Sequence, residues 1–185
     1  MTVFNEKYGR SLKVITPPNK KNRGEIMNLL LVIDFQNGFI NESTMSSKEN
    51  ISELINSNEY DKVLFTRFIN DENNPTFKKL NYKGCINDES KKICIDTEDN
   101  IILDKRTYSA YNQELINYIQ NNNIQNIYLC GIDIECCVLV TALNLFENNY
   151  NVFILKDYVY CMHGEQRKNN AIEILKGNIG EDNII

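Results

Sequence analysis

The chain has 185 residues, of which 42% are hydrophobic and 24% charged, and its formal net charge is -5. This length suits a single domain with its own core, and the composition is that of an ordinary globular protein. The acidic balance argues against a protein that binds nucleic acid through phosphate contacts. No apolar run approaches the roughly 20 residues that span a bilayer, so we also expect no membrane partner.

The first 26 residues differ from the rest of the chain. Their six basic residues outweigh two acidic ones, and Pro17-Pro18 interrupts any regular element. We therefore predict a loose basic N-terminal arm over residues 1–26, followed by a single domain over residues 27–185.

From Met27 onward, short apolar runs alternate with amphipathic helical patterns. The predicted strands are 29–33, 63–66, 101–103, 127–130 and 152–155. The predicted helices are 48–57, 114–121, 137–148 and 166–176. Such an alternation is typical of a parallel sheet with right-handed crossovers. We therefore predict an α/β fold, a three-layer doubly wound sheet that is mostly parallel.

Six cysteines and a single histidine limit the metal and redox chemistry. The cysteines are Cys85, Cys94, Cys130, Cys136, Cys137 and Cys161. They lack the paired C-x-x-C spacing of a zinc site, and one histidine, His163, nearly excludes a histidine-based metal site. Since no secretory signal is recognisable, we predict a cytoplasmic protein with reduced thiols, no metal and no cofactor.

Chemically useful side chains follow three of the predicted strands. Asp34 follows the first strand, Lys105 the third, and the segment 131–137, which ends at Cys137, the fourth. Open parallel sheets bind ligands outside the carboxyl ends of their strands. We therefore expect a carboxylate, an ammonium group and a thiol to converge at one edge. Taken singly, Asp34 could instead be a cap and Lys105 a surface charge.

Cys137 stands at the predicted start of a helix, where backbone N–H groups and the helix dipole lower the pKa of a thiol. A nearby lysine would lower it further, and a carboxylate could pass the proton to a leaving group. Backbone N–H groups in the preceding turn could form an oxyanion hole. The alternative is that cysteines are small buried apolar residues, which we favour for Cys85, Cys94, Cys130 and Cys161.

Three segments, in order, resemble the isochorismatase-like cysteine hydrolases, which include nicotinamidases, N-carbamoylsarcosine amidases and ureidoacrylate amidohydrolases. Residues 31–39, LVIDFQNGF, are similar to the D-x-Q-x-x-F opening of that family. Residues 104–111, DKRTYSAY, are similar to its K-x-x-x-S-a-F segment. Residues 129–142, LCGIDIECCVLVTA, resemble G-x-x-T-x-x-C-V-x-x-T-A. The resemblance covers about residues 28–185.

This resemblance implies a role for each residue. Cys137 corresponds to the nucleophile, Asp34 to the general base and Lys105 to a cation that stabilises the charged states. It also implies an oxyanion hole from the backbone N–H groups of Asp133 and Cys137, and a cis peptide bond between Ile132 and Asp133. The implied reaction is attack on an amide-type carbonyl, loss of ammonia or an amine, and hydrolysis of a thioester. Because isochorismatases proper lack the cysteine, Cys137 favours cleavage of a C–N bond.

The sequence departs from the family pattern in two places. Ile134 replaces the usual threonine, which removes a hydroxyl group near the turn. Nicotinamidases carry an Asp-x-His and a further His as metal ligands after the second strand, but residues 41–81 here contain no histidine. The resemblance therefore implies a metal-independent cysteine amidohydrolase for a small polar molecule, and a homo-oligomer, as is frequent in the family.

The identity of the substrate is left open. Phe39, Phe68 and Tyr108 are candidates for an apolar wall of the pocket, and each could equally belong to the core. A second hypothesis is a catalytically silent member of the fold that binds a small molecule or acts as a regulator. A third is a thiol redox protein using Cys136 and Cys137, which is disfavoured because adjacent cysteines form a disulfide only with strain.

Overall fold

The computed structural model describes residues 26–97 and 99–185, together with the backbone of two short strands nearer the N-terminus, β1 (Thr2–Asn5) and β2 (Arg10–Lys13). These two strands pair antiparallel. The predicted arm of residues 1–26 lies, apart from these strands and Ile26, outside the described residues.

A parallel five-stranded sheet is the centre of the described part of the chain. Its strands are β3 (Met27–Ile33), β4 (Lys62–Phe68), β5 (Ile101–Lys105), β6 (Ile124–Ile132) and β7 (Asn151–Tyr160). The strand order is β5-β4-β3-β6-β7, and every neighbouring pair is parallel. The order reverses at β3, and such a switch point opens a crevice at the carboxyl ends of the strands.

The central strand β3 divides the core into two layers. Leu29, Leu31 and Ile33 pack into one apolar cluster, whereas Leu30 and Val32 pack into another on the opposite face. All five side chains are fully buried. An uninterrupted apolar run is therefore required here, because both faces of the strand are covered. The predicted three-layer α/β fold is confirmed.

Six α-helices connect or cover the described strands. They are α1 (Ser47–Asn56), α2 (Pro75–Leu80), α3 (Asp88–Lys91), α4 (Gln113–Asn121), α5 (Leu139–Glu147) and α6 (Glu165–Ile179). Helix α1 lies on one face of the sheet, with Ile51 in the cluster of Leu30. Helices α4, α5 and α6 lie on the other face. The four predicted helices are confirmed, with ends shifted by at most three residues.

The loop between β4 and β5 holds two helices that the sequence did not predict, α2 and α3. Both are short and have no buried residues, so they lack the apolar period that a sequence pattern can reveal. At the other end of the chain, Ile184 forms a parallel bridge to Ile154 of β7. None of the helices within the described residues has the length and apolar character needed to cross a membrane.

Candidate active site

Asp34 lies immediately after β3 and is fully buried. Its backbone has a φ of 44°, in the left-handed region that aspartate tolerates better than most residues. Thr66 of β4 holds it twice, since the Asp34 N–H donates to Thr66 Oγ1 (3.0 Å) and the hydroxyl donates to Asp34 Oδ1 (2.8 Å). The other carboxylate oxygen, Oδ2, has no aligned hydrogen-bond donor among the described residues. This oxygen instead pairs with the side chain of Lys105.

Lys105, the last residue of β5, brings a buried cation to that oxygen. Its Nζ lies 2.6 Å from Asp34 Oδ2, and both side chains are almost fully buried. The ammonium group also donates to the backbone oxygens of Thr107 (2.8 Å) and Tyr108 (3.0 Å). Burial alone would lower the pKa of Lys105, but Asp34 and Cys137 outweigh burial and raise it. The lysine is therefore charged, and it pairs with the Asp34 carboxylate.

The turn after β6 brings the third group, the Cys137 thiol, to the same carboxyl edge of the sheet. Gly131 has a φ of 114°, and a Cβ there would lie 2.1 Å from the backbone oxygen of Ile33. Only glycine allows β6 to approach β3 this closely. The peptide bond between Ile132 and Asp133 is cis, at the position that the resemblance implied. Asp133 then caps the π-helical turn Ile134–Val138.

Cys137 lies in this π-helical turn, directly before α5, and is 4% exposed. Its Sγ is 3.6 Å from Lys105 Nζ. The pKa of the thiol is raised well above its ordinary value by a hydrogen bond with Cys136, by burial and by Asp34, while Lys105 opposes these effects. The prediction of a lowered thiol pKa is therefore wrong for this resting site. The helix start and the lysine were recognisable in the sequence, but burial and the contact with Cys136 were not.

A cavity of about 620 Å³ opens beside Cys137. One wall is aromatic: Phe39 is close to Phe68 (6.3 Å between ring centroids) and stacks on Tyr82 (6.2 Å). Tyr108 also lines the cavity and is partly exposed. Phe39 and Phe68 are buried in the core as well, so for them both sequence interpretations hold. Tyr82 was not singled out from the sequence, because its loop carries no periodic pattern.

Another part of the cavity lining is polar. Asp133, Glu135 and His163 line it, and Arg167 Nη1 donates to Glu135 Oε1 (3.0 Å). His163 Nδ1 is hydrogen-bonded to the same carboxylate. The metal-ligating atoms of Asp133, Glu135, His163 and the buried Cys161 lie within 4.8 Å of one another. The sequence signal was an Asp-x-Glu after β6 and a Cys-x-His after β7, which contains neither paired cysteines nor several histidines.

The remaining residues named from the sequence are Ile134 and the cysteines other than Cys137. Ile134 is fully buried in the core cluster that also contains the buried residues of α5, so its side chain packs against apolar neighbours. Cys85, Cys130 and Cys161 are buried, as predicted, whereas Cys94 and Cys136 are half-buried. All six cysteines are free thiols.

The sheet order, the crevice at β3 and the turn after β6 define an isochorismatase-like α/β fold. Two solved structures share this fold. Yeast nicotinamidase Pnc1p bound to nicotinaldehyde is 20% identical with a TM-score of 0.74, and the match covers 86% of this chain and 99% of that one. Nicotinamidase PncA from Bacillus subtilis is 21% identical with a TM-score of 0.73, covering 84% and 97%.

The family model described as the isochorismatase domain matches residues 28–181. The chain therefore belongs to the isochorismatase family. Isochorismatase family protein 2A of Dictyostelium discoideum is 35% identical over 72 residues, which are 38% of this chain and 36% of that protein. The secreted isochorismatase effector Isc1 of Phytophthora sojae is 33% identical over 73 residues, 38% and 35% of the two chains. The chain thus matches about a third of the length of these relatives.

Proposed function

We propose that this protein is a cysteine hydrolase that cleaves a C–N bond of a small amide-type molecule through a thioester intermediate. The observation that carries the proposal is the buried contact among three groups of different chemistry. Lys105 Nζ lies 2.6 Å from Asp34 Oδ2 and 3.6 Å from Cys137 Sγ, and Cys137 lines a cavity. Family membership supports the same reaction class.

The first step is attack by Cys137 Sγ on the carbonyl carbon of the bound molecule. The thiol proton passes to Asp34 Oδ2, and the carbonyl π electrons move to the oxygen. In this proposal the proton leaves during the attack rather than before it, which agrees with the raised pKa of Cys137. Lys105 stays charged and stabilises whichever of its two neighbours is negative. The backbone N–H groups of Asp133 and Cys137 are the proposed donors to the oxyanion.

Collapse of this intermediate breaks the C–N bond, and the leaving nitrogen takes the proton from Asp34. The resulting thioester is attacked by water, from which Asp34 removes a proton. Breakdown of the second intermediate releases the carboxylic acid and returns the proton to Cys137. Asp34 therefore acts as base and acid in each half of the cycle, while Lys105 changes neither charge nor bonding.

A screen of small amides for release of ammonia or amine tests this function. Cys137→Ala is expected to lower turnover about a thousandfold or more, because no other group replaces the nucleophile. Cys94→Ser is the matched control: its Sγ contacts the backbone oxygen of Phe35 at 3.3 Å, outside the cavity, and a serine can keep that contact. Turnover in Cys137→Ala equal to that of the parent would exclude the proposed nucleophile.

The raised pKa of the Cys137 thiol, together with the adjoining cavity, also supports a second candidate function, a catalytically silent protein that binds a small molecule in that cavity. The two functions differ in the fate of Cys137 when an activated ester is offered. A hydrolase forms an acyl adduct on Cys137 that then disappears, whereas a silent binding protein forms none or keeps it. Mass spectrometry of the intact protein over time distinguishes them.

We further propose that residues 27–185 form one domain, that this domain assembles as a homo-oligomer, and that it acts in the cytoplasm. The continuous core on both faces of the sheet supports a single domain, and the six free thiols support a reducing compartment. Analytical ultracentrifugation tests the assembly: a species with the mass of one 21.5 kDa chain at all concentrations contradicts it.

A further inference from the structure

We propose a binding site for a divalent transition metal, Zn²⁺ by preference, at the polar side of the cavity. Its ligands are Asp133, Glu135, Cys161 and His163, which follow the neighbouring strands β6 and β7. One ligating atom from each lies within 4.8 Å of all the others. This site is distinct from the segment that corresponds to the metal ligands of nicotinamidases, where the chain has no histidine.

The geometry requires only a small contraction. Bond lengths of about 2.0–2.3 Å in a tetrahedral zinc site place the ligand atoms roughly 3.5 Å apart. His163 Nδ1 and Asp133 Oδ2 are already 3.9 Å apart. The His163 side chain is 59% exposed, so it has room to rotate toward the other ligands. Asp133 and Cys161 are buried and would form the fixed side of the site.

The Asp133 carboxylate gives independent support for a cation. It is 4% exposed, and its oxygens accept two long backbone hydrogen bonds, both of 3.4 Å, from Glu135 N and Met162 N, and one from the thiol of Cys161, which is itself a proposed ligand. A buried carboxylate needs close partners, because removing its charge from water is costly. A metal ion that replaced the thiol proton between Asp133 and Cys161 would bind both side chains.

The donor set selects among metals. A thiolate and an imidazole favour Zn²⁺, Co²⁺ or Fe²⁺ over the oxygen-preferring Mg²⁺ and Ca²⁺. Arg167 and His163 both contact the Glu135 carboxylate. Arg167 therefore competes with the ion for Glu135, and the ion would replace the hydrogen bond between Glu135 and His163.

Titration of the full chain with Co²⁺ tests the site without any assay of activity. We expect one ion per chain, visible bands of tetrahedral Co²⁺, a thiolate-to-cobalt charge-transfer band, and displacement of all of them by Zn²⁺. Cys161→Ser should remove the charge-transfer band. His163→Asn should weaken binding by at least about tenfold, and its exposed position spares the fold even if Cys161→Ser disturbs it.

Two controls sharpen the test. Cys94→Ser removes a thiol elsewhere and should leave the spectrum unchanged. Arg167→Gln removes a neighbour of Glu135 that is not a ligand, and should leave binding equal or tighter. The proposal is overturned if Co²⁺ does not bind one per chain, if the charge-transfer band survives in Cys161→Ser, or if Arg167→Gln weakens binding as much as His163→Asn does. None of these outcomes depends on whether Cys137 is a nucleophile.

Discussion

Two groups of charged residues near Cys137 are built in different ways. The first, which we call the floor, is the pair Asp34 and Lys105; it is fixed by the ends of β3 and β5, is almost completely buried, and its two charged groups lie 2.6 Å apart. The second, which we call the rim, is Glu135, His163 and Arg167; the side chains of His163 and Arg167 keep much of their contact with solvent. Breaking the buried ion pair at the floor costs much more free energy than breaking an exposed ion pair at the rim. The floor therefore fixes a reacting geometry, and the rim is free to adapt to a ligand.

The largest expected difference between the floor and the rim concerns stability. Lys105→Met leaves the Asp34 carboxylate buried without its cation, which should lower the free energy of unfolding by about 3–5 kcal/mol. Arg167→Gln breaks an exposed ion pair at the rim and should cost less than about 1 kcal/mol. Urea denaturation measures both variants. Equal losses would mean that burial does not distinguish the floor from the rim.

The next largest difference in stability is expected between alanine substitutions at two glycines, Gly131 and Gly164. Gly131→Ala would force a Cβ against the Ile33 backbone at the floor, and should destabilise the protein by about 3 kcal/mol or more. Gly164, before α6, also has a positive φ, but nothing lies within 4 Å of its Cβ position. Gly164→Ala should cost only about 1–2 kcal/mol, from backbone conformation alone. Thermal unfolding of both variants checks the difference, and a reversed order would contradict the proposed close approach of β6 to β3.

Thr66→Val tests how the floor is held, with a smaller expected effect. The substitution keeps the shape of the side chain but removes the hydroxyl that binds both the N–H and Oδ1 of Asp34. Two buried polar groups then lose a partner, so we expect a loss of about 1–3 kcal/mol in the free energy of unfolding. Ser43→Ala provides a comparison at an exposed site. If the two variants were equally stable, Thr66 would not be holding the carboxylate.

Much of the floor was predictable because it follows from strand ends. An apolar run such as that before Asp34 identifies a buried strand, and parallel strands bring their carboxyl ends together. Thr66 was not predictable, since it lies inside a strand and has no motif. The group of four proposed metal ligands was missed because each residue is ordinary by itself, and they form a group only when β6 and β7 are known to be neighbours. The direction in which the pKa of Cys137 shifts depends on burial and on the hydrogen bond with Cys136, and only the three-dimensional structure reveals these.

The pH dependence of Cys137 alkylation tests most directly whether the thiol interacts with Asp34 and Lys105. Peptide mass spectrometry separates Cys137 from the other five thiols. The alkylation rate rises as pH passes through the pKa of the thiol. In the parent protein this rise should occur above the roughly 8.5 of a free cysteine, since the pKa is raised. Asp34→Asn removes a negative neighbour and should move the rise to lower pH, although it should also abolish turnover. Lys105→Met should move it to higher pH. A rise at the same pH in all three proteins would contradict the account, because Cys137 would then not sense the two groups proposed to act with it.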